Sequence, residues 1–251
     1  MDALTAKRLA YVGIESLEYV ERDTPTETLK TINFGVSAVS LQYSQEEFVK
    51  LNLSVDKRSC LGRAAQAAAV VEKHFPSARV ELGEVRRNYL AEMMVQMLFE
   101  NRSKSLDPSF MSELLMYEEP HLVVVIDGQQ FEPLSIQLGC DIFHPEVATF
   151  PIWEGVASAV TVSESHTETN PRKKLDLLWE AEEMCPSMSL VQENICGPMA
   201  ELGLDTVGVV DECLRRRPCA RTLFVLAVLT GEEKYYEQLD RKYTSKITDF
   251  F

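Results

Sequence analysis

The stretch Ser59-Cys60-Leu61-Gly62-Arg63-Ala64-Ala65 opens an alanine-rich segment, and downstream of it runs His121-Leu122-Val123-Val124-Val125-Ile126-Asp127-Gly128-Gln129-Gln130-Phe131-Glu132-Pro133. Leu61 to Lys73 is built of strong helix formers, and Pro76 after Phe75 marks the stop. The helix therefore begins at or just before Cys60. The first turn of a helix carries N–H groups without intrahelical acceptors and a partial positive charge, both of which favour a thiolate over a thiol. The Cys60 N–H is also a natural donor to a developing oxyanion. Gln42 and Gln45 lie upstream, but their spacing does not single out a second donor.

His121 stands after Pro120 at the head of a β-branched run closed by Asp127-Gly128, the dipeptide of tight hairpin turns. The returning strand lies beside the first, with Val125 and Ile126 facing Gln129 and Gln130 and with Glu132 coming back toward the histidine end. An acid there accepts a hydrogen bond from one imidazole nitrogen and leaves the other for a thiol, the logic of a triad on any fold. Taken singly, none of these residues is diagnostic. A cysteine in an alanine-rich helix commonly packs as a small hydrophobe, and a histidine at a strand start is commonly a satisfied structural residue.

Together, the two stretches resemble the transglutaminase-like branch of the papain-like cysteine enzymes, where a helix-borne Cys precedes a β-strand His and an Asp on the hairpin partner. The segment from His121 to Pro133 is similar to that family's succession of His, apolar strand, Gly turn, aromatic residue and Asp-Pro. Position by position, the resemblance implies Cys60 as nucleophile, His121 as general base and acid, and Glu132 in the orienting place. It covers about Val55 to Ser135, and Glu132 departs from the family's usual Asp. The implied fold is α+β, a papain-like core with an antiparallel sheet and an N-terminal nucleophile helix.

The whole chain has 251 residues, of which 45% are hydrophobic, enough for one sizeable core or two modest ones. Its 25 basic and 39 acidic residues give a formal charge of -14, which repels phosphate backbones and anionic lipid. Nucleic acid and membrane surfaces are not expected partners. Arg215-Arg216-Arg217 precedes Pro218, where cations complement a helix C-terminus. The six cysteines show no disulfide framework and no paired C-x-x-C spacing. With no signal peptide read at the N-terminus and no apolar run near the roughly 20 residues needed to span a bilayer, the expected compartment is the cytoplasm.

Along the N-terminal region, Leu9, Val12, Leu17 and Val20 suggest an amphipathic helix, Asp23-Thr24-Pro25-Thr26 a break, and Ser44 to Glu47 a capping box. The alternation from Ala78 to Val85 reads as a strand, Met93 to Phe99 as a helix and Val156 to Val162 as a further strand. Three or four strands with helices on one side make an α+β body. After Asn170-Pro171 the pattern is helical: Lys174–Met184 with Leu190–Leu202, then Val207–Arg217 with Ala220–Leu229. The spacing of Pro186 and Pro218 is similar to a degenerate tetratricopeptide-like period, whereas Gly203 and Gly231 are closer together, so a plain helical bundle is the better reading. The expected division is an α+β core over 1–169 and an all-α region over 170–251.

Other chemistry has weaker support. Cys140 and His144 offer two metal ligands where a closed zinc site needs four. His166 reads as solvated and His74 as a helix-end cation. No glycine-rich phosphate loop is present, and no cofactor is expected. Two functional classes follow: a cysteine enzyme acting on an amide or acyl bond of a protein or peptide, and an inactive transglutaminase-like fold serving as a protein-interaction module. Both share the fold.

Overall fold

The computed structural model describes residues 1–33, 59–87, 119–131, 148–186, 188–209, 211, 230–235 and 237. Its elements, in chain order, are α1 (Ala3–Ile14), α2 (Pro25–Lys30), α3 (Cys60–His74), β1 (Val80–Arg87), β2 (Glu119–Ile126), β3 (Gln129–Phe131), β4 (Ala148–Pro151), α4 (Ile152–Ser165), α5 (Pro171–Met184) and α6 (Ser189–Glu201). The chain divides into two compact units, one of residues 1–85 and 121–202, the other of 86–120 and 203–251. The first unit holds both stretches on which the sequence reading turns. It is an α+β body.

Among the described residues, a four-stranded sheet of order β3-β2-β1-β4 carries the unit. β2 and β3 pair antiparallel with Val124 opposite Phe131, Val125 opposite Gln130 and Ile126 opposite Gln129. The two-residue turn between them has positive φ at both positions, 49° at Asp127 and 81° at Gly128, the requirement of a type I′ hairpin turn and the reason for Asp-Gly there. Asp127 also ties the turn to the start of β1: its N–H donates to Arg79 O at 2.9 Å, and Arg79 N–H donates to its Oδ1 at 2.9 Å. β4 lies antiparallel on the other side of β1, with Leu82 opposite Phe150. From Leu122 to Ile126 every side chain of β2 is buried. That burial on both faces explains the unbroken apolar run.

Helix α4 is the hub of the helical layer, touching α1, α3, α5, α6 and β4. Val156 to Val162 belongs to this helix and is buried at every position, so the expected strand is corrected to a helix. The β-branched run that favours a strand in isolation is here the mark of a helix surrounded on all sides. Its hydroxyls are satisfied without water: Thr161 donates to Ala157 O, Ser163 to Ala159 O, and Ser158 across to Ala181 O of α5. Gly155 lets α4 lie close on the sheet, since a Cβ there would stand 2.7 Å from Leu82 Cδ2.

The buried side of α1 is Ala6, Ala10 and Ile14, while Val12 is 65% and Val20 54% exposed. The helix expected from Leu9, Val12, Leu17 and Val20 ends at Ile14, with Leu17 buried beyond it and Val12, within it, turned outward. Small residues win because α1 packs against the alanine-rich α3, where close approach takes precedence over side-chain size. The expected break at Asp23 to Thr26 instead starts α2, with Thr24 as N-cap accepting from Glu27 N–H and Pro25 at the first turn. Helices α5 and α6 agree with the expected pair within a few residues, pack on α4 and belong to the first unit, which runs to Leu202. The helices expected at Ser44–Glu47, Met93–Phe99 and Ala220–Leu229, and most of Val207–Arg217, lie outside the described residues. Among the described residues no helix is long and apolar enough to cross a membrane.

Candidate functional site

Cys60 is the first residue of α3. Ser59, extended at φ -94° and ψ 155°, caps it, with Gly62 N–H donating to Ser59 Oγ at 2.8 Å; such a cap contributes about 1 kcal/mol. From Leu61 to Val71 all of α3 is buried, which locks the helix in place and fixes the position of its first residue. The end matches the sequence as well, for the C-cap is Phe75, just before Pro76. Cys60 itself keeps partial exposure.

His121 lies near the start of β2 with 2% of its surface exposed. It shares a strand face with Val123 and Val125, which cluster with Val85 in the core. The structure brings His121 and Cys60 together, near enough for the imidazole to lower the thiol's pKa. Burial is the largest influence on the Cys60 thiol and pushes its pKa up. The His121 hydrogen bond, the His121 charge and the backbone N–H groups of Leu122 and Leu61 act the other way, and the net value falls below the ordinary 9.0. A thiol held this way is a better nucleophile near neutrality than a free cysteine.

The sheet pairing is described as far as Phe131, and Glu132 lies outside the described residues. So do Gln42, Gln45, Cys140 and His144. Among the described residues, no group of three His, Cys, Asp or Glu side chains is placed to hold a metal ion. His74 does more than end its helix: its Nε2 meets the Tyr19 hydroxyl at 2.9 Å and its Nδ1 meets Glu21 at 3.2 Å. His166 is half-buried, with Nε2 3.0 Å from Asn194 Oδ1, instead of solvated.

Sequence reasoning missed two polar clusters that support the site's scaffold. Glu72, on α3, accepts from Trp153 Nε1 at 3.0 Å and from Lys7 Nζ at 2.8 Å, joining α1, α3 and α4. Lys7 also lies over the Trp153 ring, 5.5 Å from its centroid. Glu84 of β1, 1% exposed, accepts the Ser189 N–H at 3.0 Å and the Leu190 N–H at 2.7 Å. It closes the N-terminus of α6 from across the fold, since Met188 at the N-cap position has no capping side-chain oxygen. In the sequence Glu84 is one of four charged residues of β1, with Glu81, Arg86 and Arg87, and nothing local sets it apart.

Comparison with known proteins yields no matching family model, no matching curated protein and no matching solved structure.

Proposed function

We propose that the chain is a cysteine enzyme of transglutaminase-like, papain-like type that acts on an amide or acyl bond of a protein or peptide. The observation that carries the reading is the Cys60 thiol at the start of α3 with His121 beside it, shifted toward thiolate despite burial. In this reading Cys60 Sγ attacks the substrate carbonyl carbon, forming a C–S bond as the carbonyl π electrons move to oxygen. In this reading the backbone N–H of Cys60, at the start of α3, receives that oxyanion. Collapse breaks the bond to the leaving amine, which departs with a proton from His121, and a thioester remains on Cys60. Water or a second amine then attacks the thioester, giving its proton to His121 and releasing the acid or the new amide. Hydrolysis and acyl transfer share the first half, and the second nucleophile decides between them. Glu132 takes the orienting role toward His121.

Acyl-enzyme trapping tests this. A nitrophenyl ester should give a burst of nitrophenolate, an acyl adduct on the Cys60 peptide in mass spectrometry, and slow turnover that disappears in His121→Ala. No adduct at Cys60, with the chain folded, leaves the interaction-module reading in its place.

A further inference from the structure

Ser59 divides the N–H groups of the first turn of α3. Gly62 N–H donates to its Oγ at 2.8 Å, and Arg63 N–H donates to its carbonyl oxygen at 3.0 Å. The Leu61 N–H, between Cys60 and Gly62 in the chain, helps to lower the Cys60 pKa. Ser59 is half-buried and Gly62 fully buried, so a Gly62 N–H released from its acceptor would carry a desolvation penalty unless the turn rearranged to satisfy it. Position 62 has no side chain to resist that rearrangement.

We propose that Ser59 is a positioning residue for Cys60: by holding the Gly62 N–H it fixes the first turn of α3 and with it the place of Cys60, the residue that opens that turn. The neutrality of serine matters as much as its oxygen. Aspartate is an equally good helix cap, but its charge would stand beside the sulphur and oppose thiolate formation. Serine caps the helix and leaves its positive end to the thiol. The inference rests on the proposed Cys60–His121 chemistry.

The test is the pH midpoint of Cys60 alkylation by iodoacetamide, read on the Cys60 peptide, together with the melting temperature of each variant. Ser59→Thr should keep the wild-type midpoint. Ser59→Ala should raise it by about half a pH unit, a roughly threefold slower reaction below the midpoint. Ser59→Asp should melt like wild type yet raise the midpoint at least as far, and it keeps the test readable if Ser59→Ala fails to fold. A wild-type midpoint in Ser59→Asp and in any folded Ser59→Ala would reduce Ser59 to a structural cap and overturn the inference alone. Alkylation of wild-type Cys60 only in the ordinary thiol range would instead overturn the Cys60–His121 reading, and the role of Ser59 with it.

Discussion

Cys60 opens a helix and Cys185 closes one, and the chain treats the two thiols in opposite ways. At the start of α3 the cap is a neutral serine, the ionisable neighbour is His121, and the thiol is pulled below its ordinary pKa against the effect of burial. At the start of α6 the N–H groups are taken by the Glu84 carboxylate. Cys185, 2% exposed at the C-cap of α5, is pushed up to about 12, by burial first and then by the charges of Glu84, Glu182 and Glu154. Burial is the leading influence in both places. What separates a candidate nucleophile from an inert core thiol is the sign of the neighbouring charge and which atom receives the helix N–H groups.

The largest effect should come from removing the favourable neighbour. His121→Ala should lower turnover by about 10²- to 10⁴-fold and move the alkylation midpoint of Cys60 upward, because burial then acts with less opposition. Steady-state kinetics and peptide-resolved labelling check this. An unchanged midpoint would mean that the imidazole is not what distinguishes the two thiols.

Next in size is the carboxylate that closes α6. Glu84→Ala leaves two backbone N–H groups without their acceptor and should cost about 3 kcal/mol of unfolding free energy, measured by urea titration, while the Cys60 midpoint stays put. Glu84→Gln, which keeps an acceptor at the same place, should cost less. A Glu84→Ala chain as stable as the parent would break the idea that this helix start is committed to structure.

The smallest effect is a pH slope. Cys185 has its folded pKa raised from 9.0 to about 12, so the unfolded chain loses this proton first as pH rises. Between those values the folded state binds more protons than the unfolded state, and the thiol's contribution to stability falls with pH by at most about 1.4 kcal/mol per unit. Cys185→Ala should flatten that alkaline decline in urea midpoints relative to the parent. An identical slope in both chains would show that the Cys185 thiol does not ionise differently on folding.

Local chemistry made one of these two regions legible and hid the other. The start and end of α3 follow from Ser59, the alanine run and Pro76, and the hairpin with its Val125–Gln130 and Ile126–Gln129 pairs follows from Asp127-Gly128. Each of these is decided within a few residues. The Glu84 cap joins positions more than a hundred residues apart, and no local pattern announces it. Val156 to Val162 misled for the related reason that burial from every side removes the 3.6-residue period by which a helix is recognised. The face of α1 was misread because its partner α3 presents alanines, so Ala6 and Ala10 fit where Val12 does not.

The central claim, that the surroundings of Cys60 favour its thiolate while those of Cys185 suppress it, is tested most directly by alkylating the native chain with iodoacetamide across pH and reading both cysteines by mass spectrometry. The account predicts labelling of Cys60 with a midpoint below 9.0 and protection of Cys185 until the chain unfolds. Labelling of both along one curve, or of Cys60 only after denaturation, would contradict it.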